Sequence, residues 1–161
     1  MRGVRPATDR STRGTSDSIE VGWLAGMLPE RLAVRGLAVE VQVPDMISLG
    51  SPSSFTVIVY NRLPVPVEIT LPTSRLWGWS VDGVPEADSR GYEPPSAERS
   101  FAFNRGQQRT FTATWDGRIR ERGTDGDVWR TVRGKHTITG YLAVENWRER
   151  GLYSEKSVDV V

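Results

Sequence analysis

The sequence contains no cysteine and only one histidine, His136, in 161 residues. The first absence removes disulfides, thiolate zinc sites and cysteine nucleophiles together. The second leaves a single candidate base for a Ser-His-acid triad and no imidazole cluster for a metal. Lysine is nearly missing too: Lys135 and Lys156 are the only two among 21 basic residues. Charge of one sign is likewise scarce, since 20 acidic residues leave a net charge of +1, so no global field recruits nucleic acid or an anionic membrane. No run approaches the roughly 20 apolar residues that span a bilayer. The first residues carry no apolar core of a secretory leader, so a cytoplasmic protein with no membrane contact is expected.

What is present is turn chemistry and aromatic bulk. Sixteen Gly, ten Pro and six Trp favour short strands joined by many turns over long helices. Residues 1–18 hold four Arg, several Ser and Thr and almost no apolar side chains, and read as a disordered tail. In residues 19–35, Trp23, Leu24, Met27 and Leu28 fall on one helical face. They predict a short amphipathic helix, or an extra edge strand, packing on the domain, with Pro29 ending or kinking the turn.

From Gly36 the hydrophobic period becomes two. Leu37, Val39 and Val41 alternate with Ala38, Glu40 and Gln42. Phe55, Val57 and Val59 share a face, with Asn61 closing that strand. Val67, Ile69 and Leu71 follow Pro64 and Pro66, which place them at a sheet edge. Trp77, Trp79 and Val81 precede an Asp82-Gly83 hairpin signal. Phe101 with Phe103, then Phe111, Ala113 and Trp115, then residues 137–144 and 157–161 complete the series. Residues 84–98 and 116–135 read as long loops. Roughly eight short strands without a long helix predict an all-β, immunoglobulin-like, two-sheet antiparallel sandwich over residues 36–161.

The run from Phe55 through Val59 to Asn61, Pro66 through Ile69 to Leu71, Thr73-Ser74-Arg75, the Trp77/Trp79 strand with its Asp82-Gly83 turn, and Arg105-Gly106 before the strand ending in Trp115 occur in that order, followed by Gly134 through Thr139 to Tyr141-Leu142. That order of elements, over about residues 37 to 145, resembles the intracellular proteinase inhibitor (BsuPI-like) domain family. The resemblance implies a cytoplasmic sandwich without a cofactor that binds other proteins, some relatives being described as peptidase inhibitors.

Enzyme chemistry finds little support. His136 stands at a strand start without a Gly-x-Ser-x-Gly elbow, the setting of an ordinary surface or strand-end histidine. Gly134-Lys135 lacks both the upstream Gly and the following Ser or Thr of a phosphate loop, with Trp129 and His136 standing there instead. Asp125 and Asp127 lack the further ligands of a calcium loop, and nothing sets them or Glu145 and Glu149 across a cleft.

The residues with most to offer a partner are Arg118, Arg120, Arg122, Trp129, Arg130 and Arg133, a basic cluster around one aromatic, diluted by Glu121, Asp125 and Asp127. A solvated, self-paired loop is the plain alternative. The leading expectation is a non-enzymatic module that binds a partner protein, a peptidase or an assembly neighbour, through its long loops; nucleic acid is disfavoured. The alternatives are a structural subunit whose N-terminal arm reaches neighbouring copies, and a carbohydrate-binding sandwich should Trp77 and Trp79 face solvent.

Overall fold

The computed structural model describes residues 29–85 and 95–161, so the expected tail and the Trp23 segment lie outside the described residues. Among the described residues the chain forms one short helix, α1 (Glu30–Val34), and twelve strands. These are β1 (Leu37–Gln42), β2 (Met46–Ile47), β3 (Ser53–Asn61), β4 (Val67–Thr73), β5 (Trp77–Val81) and β6 (Val84–Pro85), followed by β7 (Ser96–Phe103), β8 (Gln108–Trp115), β9 (Arg118–Gly123), β10 (Gly126–Thr131), β11 (Gly134–Leu142) and β12 (Tyr153–Val160).

The protein is an all-β sandwich. A three-stranded sheet, β1-β3-β8, faces a five-stranded sheet, β2-β12-β11-β5-β6, with two separate ribbons, β4-β7 and β9-β10. All pairings are antiparallel except β2 on β12. The inward positions are those the alternation marks: Phe55, Val57 and Val59 on β3, Val67, Ile69 and Leu71 on β4, and Val158 and Val160 on β12 are all buried. The core divides along β3. Phe55 and Val57 pack with Trp79, Val81, Trp115 and Ile138, whereas Val59 packs with Phe103, Leu142, Leu152 and the helix residues Ala33 and Val34.

Pro29 caps the start of α1, its carbonyl accepting from Leu32 N–H at 2.8 Å and Ala33 N–H at 3.1 Å, while the Trp23 turn it was expected to end or kink lies outside the described residues. Proline fits there because it lacks only an N–H that a first turn leaves unused. Residues 116–135 form the β9-β10 hairpin rather than a loop, and the expected loop at 84–98 contributes to β6 and β7 at its described ends. The Asp82-Gly83 turn is as expected, with φ of 48° and 80°, the positive pair that a tight two-residue hairpin requires.

At Gly140 the two sheets approach closely. A Cβ there would lie 2.6 Å from Cγ2 of both Val41 and Val57 on the opposite sheet. Gly140→Ala therefore overpacks a dense core and is expected to cost about 1 to 3 kcal/mol, read as a lower urea midpoint at unchanged slope; an unchanged midpoint would show that the sheets are further apart.

Candidate binding site

The hairpin register decides which cluster residues act together. Arg118, Arg120 and Arg122 lie opposite Thr131, Trp129 and Asp127, while Ile119 and Glu121 lie opposite Arg130 and Val128. Directly opposed residues share a face. Arg118, Arg120, Arg122 and Trp129 therefore occupy one face, and Arg130 occupies the other with Glu121 and Val128. Arg133 is exposed beyond the ribbon, before β11.

The charges are largely matched within this segment. Arg120 reaches Asp127 at 3.4 Å, Arg130 reaches Glu121 at 3.3 Å and Arg118 reaches Asp116 at 3.5 Å. Such exposed pairs are worth little individually, but they leave the hairpin without the dense positive surface that binds phosphate backbones. Its distinctive feature is apolar: Trp129 is 41% and Val128 58% exposed, one on each face.

Trp129 and Arg118 form the rim of a cavity of about 400 Å³ whose walls are Trp79, Trp115, Thr114, Pro52 and Asp116. A second cavity, of about 410 Å³, lies on the other side of Trp79 and is lined by Arg75, Trp77, Gly78 and Phe111. Both open between β5 and β8, the seam where the two sheets meet at one side. The tryptophans are fixed there by the core. Trp79 stands edge-on to Phe55 with ring centres 5.1 Å apart, Trp77 stacks on Phe111 at 5.1 Å, and Trp115 Nε1–H donates to the Arg118 carbonyl at 2.7 Å. Trp79 is only 7% exposed. Trp79 is therefore a core residue, whereas Trp77 is only half-buried.

His136 stands near the start of β11, the strand-end place expected, with its side chain largely buried. Its Nδ1 lies 2.6 Å from Asp82 Oδ2, whose other oxygen accepts from Thr137 N–H at 2.8 Å. The ring packs edge-on to Trp115 at 5.9 Å, and Nε2 is buried with no hydrogen-bond partner among the described residues. A general base needs that nitrogen beside a nucleophile; here it is enclosed by the core. The Asp82 contact spans the sheet from a residue 54 positions away, which local patterning does not reveal. No group of three or more potential metal ligands occurs among the described residues, and Asp127 is engaged with Arg120.

One aromatic cluster escaped sequence reasoning. Trp147 stacks on Tyr141 at 4.1 Å and meets Tyr153 edge-on at 5.6 Å, with the Arg148 guanidinium over both Trp147 and Tyr153. Tyr141 lies across Gly78, where a Cβ would meet its ring at 2.5 Å. Burial raises the Tyr141 pKa above its ordinary value, and the Arg75 guanidinium partly offsets that rise. Tyr141 and Tyr153 pair across β11 and β12; the two-residue period placed Tyr141 in a strand, whereas Tyr153 lies ahead of the expected 157–161 strand and the return of Trp147 from a turn carries no local signal.

A family model described as a family of unknown function, DUF7974, matches residues 25–161. No curated protein matches the chain. Similar solved structures include the CARDB domain of a Pyrococcus furiosus protein in complex with di-metal ions, with 17% identity, a TM-score of 0.47, and coverage of 78% of this chain and 87% of that one. Another is a beta-glucosidase from Listeria innocua, 12% identical with a TM-score of 0.45, where the match covers 77% of this chain and 16% of the enzyme. An alkylpurine DNA glycosylase from Pseudomonas fluorescens, bound to DNA containing an abasic site analogue, is 16% identical with a TM-score of 0.44, over 78% of this chain and 30% of that one. No helix among the described residues is long and apolar enough to cross a membrane.

Proposed function

The chain belongs to the DUF7974 family, and from that premise we propose that it is a non-enzymatic protein-interaction module. It meets a partner protein through the β9-β10 hairpin and the cavity that Arg118 and Trp129 help to line. The observation that carries this reading is the hairpin itself: a ribbon with Trp129 and Val128 exposed on opposite faces among arginines. Trp and Arg are the side chains that most often dominate interface energetics, since each offers large contact area with a polar handle. On the resemblance to intracellular proteinase inhibitors, we further propose a peptidase, or else an assembly neighbour, as the partner and the cytoplasm as the compartment.

The test pairs capture of partners with titration against a panel of peptidases, using the native protein and the double variant Trp129→Ala, Val128→Ser. Both side chains are substantially exposed, so the variant is expected to lose less than about 1 kcal/mol of stability. Its affinity for the captured partner is expected to fall at least about thirtyfold, the effect of losing a hot spot. Equal binding by both proteins would refute the hairpin as the contact, and neither a partner nor an inhibited peptidase would refute the module.

A further inference from the structure

The end of the sandwich remote from the hairpin gathers arginines whose charge is not neutralised. Strand β3 runs from Ser53, opposite Trp115 at the hairpin root, to Asn61. Its nine residues put about 27 Å between the two ends at the usual strand rise. Three chain segments meet at the Asn61 end. Arg62 N–H donates to the Gly36 carbonyl at 2.8 Å, which sets Arg62 beside Arg35. Asn61 N–H donates to the Gln107 carbonyl at 2.9 Å and Asn61 Nδ2 to the Asn104 carbonyl at 3.1 Å, which sets the turn holding Arg105 alongside. Gly36 permits the first of these approaches, since a Cβ there would run into the Leu63 side chain. Arg31 precedes Arg35 by four residues, one helical turn, so the two share a side of α1.

Arg31, Arg35, Arg62 and Arg105 are all exposed, and none forms an ion pair among the described residues. Arg62 lies over the Tyr60 ring at 5.3 Å and reaches its hydroxyl at 3.2 Å, contacts that orient the guanidinium and leave its charge uncompensated. The nearby acids are engaged or apart: Glu30 pairs with Arg150 at 3.2 Å, Glu40 accepts from Gln42 at 2.9 Å, and Glu68 on β4 reaches none of the four. The hairpin is the reverse case, with Arg118, Arg120 and Arg130 each on a carboxylate of its own segment. Leu32, next to Arg31, is 49% exposed and adds an apolar contact. Like charges held side by side repel, and carboxylates from a partner relieve the repulsion while accepting the forked N–H groups of each guanidinium. We propose that this end is a second binding surface, which takes an acidic segment of a protein, its carboxylates on Arg35, Arg62 and Arg105 and an apolar side chain against Leu32. Nucleic acid fits less well, because four arginines neutralise few phosphates and the Tyr60 ring is covered by Arg62. The proposal rests on the protein-interaction reading only in taking a protein as the partner, and its contact lies at the opposite end from the hairpin.

The probes are a short synthetic peptide of Glu and Leu, its counterpart with Gln for every Glu, a single-stranded DNA oligomer and inorganic phosphate, each titrated into the full chain and followed by amide NMR shifts. The test variant combines Arg35→Gln, Arg62→Gln and Arg105→Gln; the three side chains are exposed, so its urea midpoint is expected to stay close to that of the native protein. A second variant with Lys at the same positions keeps the charge. The expected result is binding of the Glu peptide that weakens as salt rises, with shifts at Arg35, Gly36, Arg62, Arg105 and Gly106. Affinity is expected to be at least about tenfold weaker for the Gln variant, intermediate for the Lys variant, and unchanged for Trp129→Ala, Val128→Ser. No binding of the Glu peptide at low salt overturns the proposal, as does equal binding of the Gln peptide or equal binding by the Gln variant. Tighter binding of DNA or phosphate than of peptide, shifts confined to β9 and β10, or self-association that the Gln variant abolishes overturns it too. Each of these leaves the interaction reading standing, which fails on its own test, when neither a partner nor an inhibited peptidase is found.

Discussion

Trp115→Ala is expected to lower the unfolding free energy by about 3 to 5 kcal/mol, the range for deleting a large buried aromatic. Trp115 is 3% exposed and packs with Phe55, Trp79 and Ile138, so the lost area and the remaining cavity both fall at the centre of one half of the core. Its indole N–H also bonds the Arg118 carbonyl at 2.7 Å, which ties the first residue of the hairpin to the sandwich. Trp115→Phe separates these contributions: it keeps most of the packing, loses the hydrogen bond and is expected to cost substantially less. Urea unfolding measures both. A domain of this class has about 5 to 15 kcal/mol in total, so the alanine variant is expected to lose from about a fifth to nearly all of its stability. A loss under about 1 kcal/mol would mean that Trp115 is a surface residue and that the cavity walls are wrongly placed.

Asn61→Ala is expected to cost about 2 to 4 kcal/mol although it removes few atoms. Asn61 is 3% exposed, and its Nδ2 donates to the carbonyls of Val65 at 2.8 Å, Asn104 at 3.1 Å and Phe103 at 3.3 Å. Its Oδ1 accepts from Leu63 N–H at 2.9 Å. One amide thus holds the end of β3, the turn into β4 and the turn between β7 and β8. Buried main-chain groups left without partners bear the full cost of desolvation. Asn61→Asp keeps the acceptor for Leu63 and replaces the donor with a charge facing three carbonyl oxygens. Its deficit is expected to exceed that of the alanine variant, and to grow between about pH 4 and pH 7 as the carboxyl ionises. Equal, pH-independent losses for the two variants would show that the amide contributes packing alone.

The fold was legible in the sequence wherever a strand has one face against the core. Phe55-Val57-Val59 and Val67-Ile69-Leu71 alternate because their neighbours meet solvent, and the period-two pattern records that directly. The hairpin was illegible for the same reason. Residues 121–130 are exposed throughout, so Arg and Glu alternate with nothing that marks an inside, and the ribbon reads as a loop. Composition still singled out Arg118, Arg120, Arg122 and Trp129 as a group, and the register puts these four on one face; Arg130 and Arg133 were grouped by proximity in sequence and separate in space. The seam was hidden because it joins β5 to β8, strands more than 25 residues apart that share no ladder. The Asp82 contact of His136 and the three-way role of Asn61 are likewise long-range. Each becomes visible only when register is known.

The central claim is a sandwich held by facing apolar layers in which β8 ends its sheet among the described residues, and amide exchange along β8 in the free protein tests it most directly. The account predicts alternation: slow exchange at Arg109, Phe111, Ala113 and Trp115, whose amides bond to β3, and fast exchange at Gln108, Thr110, Thr112 and Thr114. Uniformly slow exchange over all eight would show the edge to be covered, and uniformly fast exchange would show that β8 is not part of the sheet; either result contradicts the account.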